Sequence, residues 1–100
     1  MGRIPEKHRE AVRAALDELV AGRRPELMTW VDNYGAAGAE LIPQPDDIWE
    51  HRLTDFVPRD DGTAYIVLPL WTSDEAPSDL SAECELSKTG QIEIIDVHAL

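Results

Sequence analysis

The sequence predicts an α+β fold in which two N-terminal helices pack on a four-stranded antiparallel sheet with meander order. Apolar residues recur at helical spacing in the first third of the chain and with a period of two after residue 51. Because helices and strands are segregated along the chain, α+β is favoured over alternating α/β. We expect one domain over residues 1–100, with helices at about 5–34, an irregular proline-rich segment at about 35–50, and strands at about 51–99.

Two apolar stripes predict the helices. The first helix is expected from Pro5, which suits a helix N-terminus, to Gly22, which suits the position after a helix end. Its stripe consists of Val12, Leu16, Leu19 and Val20. The second helix is expected from Pro25 to Gly35. Its stripe consists of Leu27, Trp30, Val31 and Tyr34. Both stripes are interpreted as faces that pack against the core.

The first two strands flank a turn rich in aspartate. An imperfect strand is expected at about 51–57, with Leu53 and Val57 on one face and Phe56 on the other. The turn spans 58–63, where Gly62 supplies a positive φ. The next strand has two apolar faces, which are Ile66, Leu68 and Leu70 on one side and Tyr65, Val67 and Trp71 on the other. Two apolar faces predict cover on both sides or an exposed aromatic face used for binding.

The last two strands form a predicted hairpin. Alternation places Leu80, Ala82, Cys84 and Leu86 on the inner face. A three-residue loop at 88–90 then pairs Leu86 with Ile92 and Cys84 with Ile94. The alternation slips at Ile95, which predicts either a β-bulge there or burial on both faces. The chain is expected to remain strand to its last residues.

Net charge is the strongest bulk feature of the sequence. The total is −11, from 9 basic and 20 acidic residues. Residues 1–24 carry +2, from six basic and four acidic residues, so residues 25–100 carry −13. Nucleic-acid binding depends largely on lysine and arginine, so direct binding to DNA or RNA is not expected. Such acidity favours a basic protein as partner, or serves solubility alone.

The sequence also predicts a compartment. No apolar run reaches the roughly 18 residues that a membrane span needs, and the first ten residues contain no apolar signal core. The single cysteine, Cys84, cannot form an internal disulfide. We therefore expect a cytoplasmic protein that does not associate with membranes.

Three segments carry a resemblance to a known family. They are PQPDDIWE, VLPLWTSDEAPSDLS and IEIIDVHAL. In these segments the chain resembles a family of small uncharacterised bacterial domains of unknown function. The matching positions are Pro43, Pro45, Asp46, Pro69, Leu70, Trp71, Thr72, Glu75, Ser78, Asp79, Leu80, Ile92, Glu93, Ile94, Asp96, His98 and Leu100. Ala76–Pro77 and Ile95 depart from the family pattern. The resemblance implies the same fold and brings no activity with it.

The sequence offers few groups for catalysis or metal binding. Asp46, Asp47, Glu50 and His51 lack the spacing of a calcium loop, and a solvated acidic turn is the favoured interpretation. Asp96 and His98 lie two residues apart on one strand, so they share a face and could act as a polarised pair. Cys84 is interpreted as a buried structural residue. Without a known catalytic motif, we predict no catalytic residue, metal or cofactor, and a non-enzymatic protein is favoured.

The sequence predicts two candidate binding sites. An interaction edge is predicted at Trp71, Asp74, Glu75 and Asp79. A ligand pocket between the helices and a curved sheet would be lined by Trp30, Tyr34 and Trp71. The leading interpretation is a small protein-binding domain, immunity-like, antitoxin-like or regulatory, that takes a basic partner. The alternatives are a small-molecule-binding or enzymatic domain using that pocket, and a symmetric homodimer formed through the apolar outer strand face.

Overall fold

The computed structural model describes residues 3–99 and confirms the α+β architecture. Helical elements precede all four strands. They are α1 (Glu6–Val20), a 3₁₀ turn (Pro25–Leu27), α2 (Thr29–Asp32) and a second 3₁₀ turn (Asp46–Trp49). The strands are β1 (Asp55–Pro58), β2 (Ala64–Pro69), β3 (Leu80–Leu86) and β4 (Ile92–Ala99). Within the described residues, no helix is long and apolar enough to cross a membrane.

Helix α1 forms as the sequence predicts. Pro5 precedes its first residue, and the chain leaves the helix through Gly22 at a φ of +80°. Val12, Leu16 and Leu19 are fully buried. Each of these burials contributes roughly 1.5–3 kcal/mol to folding. The stripe therefore anchors α1 to the inner face of the sheet.

The predicted second helix requires a correction, because residues 25–35 do not form one continuous helix. A 3₁₀ turn ends before Met28, and α2 contains only Thr29–Asp32. Threonine, tryptophan and valine are poor helix formers, and Val31 is the one buried residue of α2. With so little burial, packing does not extend the helix. The segment instead lies along β4, where the Arg24 guanidinium donates to the Ile94 carbonyl at 3.2 Å.

The proline-rich segment 35–50 is held to the sheet by a buried glutamine. The Gln44 side chain accepts from the Trp71 amide at 2.7 Å and donates to the Trp71 carbonyl at 3.0 Å. Leu41 also forms an isolated antiparallel bridge with Thr72. Ile48 and Trp49 then enter the core. The segment is irregular, as predicted, but firmly packed.

The sheet is an antiparallel meander in the order β1-β2-β3-β4. Its first strand is shorter than expected and begins at Asp55. Phe56 pairs with the fully buried Ile66 and faces the core, whereas Val57 faces outward. Leu53 precedes the strand and is exposed. The turn after β1 contains Gly62 at a φ of +88°, as its Asp-Gly sequence predicts.

Of the two alternatives for the slip at Ile95, a β-bulge or burial on both faces, the structure shows the bulge. Leu86 pairs with Ile92 and Cys84 with Ile94, but Glu83 pairs with Asp96, so Ile95 is the extra residue. Ile94 and Val97 are buried, while Ile95 is 45% exposed. The bulge therefore repairs the alternation and returns Val97 to the core. Strand β4 continues to Ala99, and Leu100 lies outside the described residues.

Candidate functional site

The outer face of the sheet carries all five acidic side chains of the strands. Outward residues alternate with buried ones along β2, β3 and β4, and the bulge turns two consecutive residues of β4 outward. We call this surface the open face. It consists of Asp55, Val57, Tyr65, Val67, Glu83, Glu85, Glu93, Ile95, Asp96 and His98.

The bulge assembles a three-residue cluster at the centre of β3 and β4. It places Asp96 opposite Glu83, and His98 lies two residues further on the same face. The Nδ1 atom of His98 lies 3.4 Å from Oε2 of Glu83 and 3.3 Å from Oδ2 of Asp96. This Nδ1 atom is buried and forms no hydrogen bond, although the His98 side chain is 23% exposed. An imidazole nitrogen is thus held between two carboxylates.

Neighbouring side chains interact with both carboxylates of β3. Burial, together with a hydrogen bond to Glu83, raises the pKa of Tyr65. On the other side, Arg59 donates to both oxygens of Glu85, at 2.6 and 3.0 Å. This hydrogen-bonded guanidinium lowers the pKa of the Glu85 carboxyl. Glu85 therefore stays ionised at neutral pH, and Glu83 has Tyr65 as a hydrogen-bonding neighbour.

Three arginines of the N-terminal segment are paired away from this face. Arg13 contacts Asp46 at 2.9 Å, and Glu50 contacts Arg3 at 3.2 Å and Arg9 at 3.5 Å. The guanidinium groups of Arg9 and Arg13 also lie over the Trp49 ring, at 5.8 and 5.0 Å. The acidic turn that begins at Asp46 thus binds α1 through ion pairs. These arginines do not offset the charge of the sheet.

The predicted interaction edge has a different composition from the one expected. Trp71 is only 7% exposed and makes an edge-to-face contact with His51 at 5.3 Å, so it belongs to the core. Asp74, Glu75 and Asp79 are exposed. Glu75 accepts a hydrogen bond from the Tyr34 hydroxyl at 2.6 Å, and that hydroxyl accepts one from the Asp79 amide at 3.1 Å. The acidic rim exists without its aromatic anchor, and its role in binding stays a prediction.

The three residues predicted to line a pocket are separated. A cavity of about 340 Å³ lies beside Tyr34, between residues 34–39 and the 72–75 loop. Its lining includes neither Trp30 nor Trp71. Trp30 is 50% exposed on α2, and Trp71 is buried. The hydrogen bond to Glu75 raises the pKa of Tyr34 and ties this segment to the loop.

A larger groove lies between α1 and the end of the β3–β4 hairpin. Its volume is about 800 Å³. Ala11, Ala14 and Ala15 form one wall, and Leu86 and Ile92 contribute to the other. The alanines leave this space because their side chains end at Cβ. This groove, rather than the aromatic triad, provides concave apolar surface between helix and sheet.

Sequence reasoning identified Asp96 and His98 but missed Glu83. The signal was present in the predicted hairpin register, since a bulge at Ile95 places Asp96 opposite Glu83. Cys84 lies where the alternation predicts, fully buried on the inner face. Desolvation raises the pKa of its thiol to about 12, so it is protonated at neutral pH. Nothing in this environment activates it as a nucleophile.

Comparison with known proteins gives a family and no activity. A family model described as "Domain of unknown function (DUF7668)" matches residues 1–100. No curated protein and no solved structure matches the chain. The match confirms the resemblance to a family of small domains of unknown function. The bacterial origin implied by that resemblance stays a prediction.

Proposed function

The chain belongs to the DUF7668 family, a family of unknown function, and we propose that it binds a basic protein through its open face. One observation carries this proposal. Strands β1–β4 contain five carboxylates and, within the same bounds, neither lysine nor arginine. The five are Asp55, Glu83, Glu85, Glu93 and Asp96. A surface of one sign attracts and orients a partner of the opposite sign.

The apolar residues of the open face favour a protein as the partner. Ile95 is 45% exposed and Val57 is 41% exposed, and Tyr65 is half-buried between them in the sheet order. Protein interfaces combine apolar and aromatic contacts with surrounding polar groups. Solubility alone would not require large apolar side chains among the carboxylates. This mixture supports a contact surface over a purely solubilising one.

A small acidic domain of this kind suits an inhibitory or regulatory role. By covering a basic surface of its partner, the domain would exclude other acidic ligands of that surface. This is the mode of action that we propose, in the manner of immunity or antitoxin-like proteins. The proposal assigns no catalytic residue to the chain.

The affinity of a cationic peptide tests the proposal. We expect a fluorescein-labelled peptide of alternating lysine and leucine to bind with a Kd that rises steeply with NaCl, because salt screens the attraction. The triple variant Glu83→Gln/Glu85→Gln/Glu93→Gln should weaken binding by about tenfold or more, which corresponds to roughly 1.4 kcal/mol. Fluorescence anisotropy at 20 and 200 mM NaCl measures both effects.

The acidic rim provides a matched control. The variant Asp74→Asn/Glu75→Gln/Asp79→Asn removes the same number of charges from exposed positions outside the open face. If charge alone drives binding, both variants lose the same affinity. Equal losses, or a larger loss in the rim variant, would contradict the assignment to the open face.

The groove beside α1 supports a second candidate, which is binding of a small apolar ligand. Its volume of about 800 Å³ lies within the usual range of ligand pockets. The substitution Ala14→Phe would fill the groove from an exposed position without altering the core. Under this candidate, a fluorescent apolar probe such as anilinonaphthalene sulfonate binds the native chain, and Ala14→Phe abolishes binding. Ala21→Phe, at an exposed position outside the groove, serves as the control.

A further inference from the structure

We propose that Glu83, Asp96 and His98 form a binding site for a divalent transition-metal cation. Each residue presents one ligand atom, and these three atoms lie within 4.8 Å of one another. The site is located on two paired strands, so the sheet holds its ligands in place. It does not depend on the binding of a basic protein.

The spacing of the ligand atoms matches the coordination shell of such an ion. Zinc binds imidazole nitrogen and carboxylate oxygen at about 2.0–2.2 Å. Two ligands of a tetrahedral ion with these bond lengths lie about 3.4 Å apart. The distances from His98 Nδ1 to Glu83 Oε2 and Asp96 Oδ2 are 3.4 and 3.3 Å. A small movement of the Glu83 and Asp96 side chains then closes the three ligands around one ion.

The state of His98 Nδ1 is the second observation. This atom is inaccessible to solvent and has no hydrogen-bond partner, although two carboxylate oxygens lie beside it. In the tautomer that leaves Nδ1 unprotonated, its lone pair faces two negative oxygens, which is unfavourable unless a positive charge lies between them. A metal ion supplies that charge and satisfies all three groups. A proton on Nδ1 is the competing occupant, and the experiment below separates the two.

The types of ligand limit which metal ions suit the site. One imidazole and two carboxylates suit zinc, cobalt, manganese and iron, whereas calcium and magnesium prefer oxygen ligands alone. The hydrogen bond between Tyr65 and Glu83 would orient one ligand from outside the coordination shell. The Asp96 side chain is 57% exposed, so the outer side of the site is open to solvent. Further coordination positions would be available to water or to a ligand from a partner.

Two titrations of the full chain test the proposal. Calorimetry monitors the titration with Zn²⁺ alone, and visible absorption monitors the titration with Co²⁺. We expect saturable binding of one ion per chain. His98→Gln, Glu83→Gln and Asp96→Asn should each weaken binding by at least about tenfold. Glu93→Gln removes a carboxylate from the same strand and face but outside the cluster, and should change the Kd less than about twofold. His51→Gln controls for non-specific imidazole binding.

A measurement on the unaltered chain keeps the proposal testable if a variant fails to fold. Substoichiometric Mn²⁺ should selectively broaden the NMR signals of Glu83, Asp96 and His98. Broadening spread evenly over all acidic segments overturns the proposal, as does the absence of saturable binding or equal affinity in His98→Gln. Neither titration contains the cationic peptide, so failure of the metal site and failure of peptide binding are separate results.

Discussion

Gln44 shows how one buried polar side chain can position an irregular segment. Gln44 is 3% exposed, and its side-chain amide forms hydrogen bonds with both backbone groups of Trp71. It also donates to the Ile42 carbonyl at 2.6 Å. The backbone carbonyl of Gln44 accepts a hydrogen bond from the Arg13 guanidinium, which links the segment to α1. These contacts explain why a proline-rich stretch without regular structure packs firmly against the end of β2.

The substitution Gln44→Ala should therefore destabilise the fold. It leaves the buried Trp71 amide without a partner, which costs about 1–3 kcal/mol. The Trp71 carbonyl keeps only the long hydrogen bond from the Ile42 amide at 3.4 Å. We expect the free energy of unfolding in urea to fall by about 2–3 kcal/mol. Gln91→Ala removes an exposed glutamine and should change it by less than about 0.5 kcal/mol. A loss of similar size in both variants would contradict this role of Gln44.

Cys84 makes stability depend on pH in the alkaline range. An unfolded thiol ionises near pH ~8.5, whereas burial raises the pKa of Cys84 to about 12. Between these values the native chain holds a proton that the unfolded chain has lost. The free energy of unfolding consequently falls as pH rises. Tyr34 and Tyr65, whose pKa values are also raised, add to this fall only above about pH 10.

The comparison with Cys84→Ala isolates this effect. Between pH 8.5 and 10, the wild-type chain should lose up to about 1.4 kcal/mol of stability per pH unit that the variant does not lose. Urea unfolding at several pH values measures the difference in slope. The native thiol should also react with a disulfide reagent only as fast as the chain unfolds. Parallel slopes, or rapid reaction of the native thiol, would show that Cys84 is accessible.

At the residue scale, the sequence was informative where the surroundings follow from local alternation. Cys84 is buried because its neighbours along β3 alternate, and no other information was needed. Trp71 was assigned to a binding edge because the sequence around it is acidic. Its burial depends on Gln44 and His51, which are far from it along the chain. Contacts of that range leave no periodic pattern.

Among the structural elements, the bulge in β4 has the largest effect on the candidate site. It keeps Ile94 and Val97 in the core and turns Ile95 and Asp96 outward together. Without it, regular alternation would bury Asp96 and expose Val97. The change of parity at Ile95 predicts either this bulge or burial on both faces, and the sequence alone does not choose between them. The position of Glu83 opposite Asp96 follows from that register but requires both strands to be considered together.

Two alanine substitutions test the bulge. Val97→Ala should lower the free energy of unfolding by about 1.5–3 kcal/mol, because it removes buried methyl groups and leaves a cavity. Ile95→Ala should change it by less than about 0.5 kcal/mol, because the side chain is exposed. Urea denaturation measures both values. The opposite order would mean that β4 is regular and that Asp96 does not face Glu83.

The second helix shows the limit of periodicity as evidence. The four residues of the predicted stripe have helical spacing, but only Val31 is fully buried. Leu27 and Tyr34 pack against the core while partly buried, and Trp30 is exposed. Residues 25–32 instead lie along β4, an edge strand of the sheet. Covering an edge limits pairing with other chains. The need for that cover arises from the sheet as a whole and could not be seen in the segment alone.

At the scale of the whole molecule, ion pairs hold most arginines away from the sheet, so negative charge is concentrated on the open face. Arg3, Arg9 and Arg13 contact the acidic turn at 46–50, and Arg23 pairs with Glu18 at 2.6 Å. The open face keeps its carboxylates, with Arg59 paired to Glu85 at its margin. The sequence predicts the acidity of residues 25–100 and a basic partner, with the interaction edge at Trp71, Asp74, Glu75 and Asp79, whereas we propose the open face. Homodimerisation through the outer strand face stays a prediction, which light scattering tests, and like charges on two open faces would oppose it.

The location of peptide binding tests the central claim most directly. We expect NMR titration of the ¹⁵N-labelled chain with the lysine–leucine peptide at 20 mM NaCl to shift signals of β3 and β4, including Glu83, Ile95 and Asp96. Raising NaCl to 200 mM should reverse these shifts, because the Debye length falls to about 7–8 Å. Shifts confined to the 74–79 loop, to the groove beside Ala14, or unaffected by salt would contradict binding through the open face.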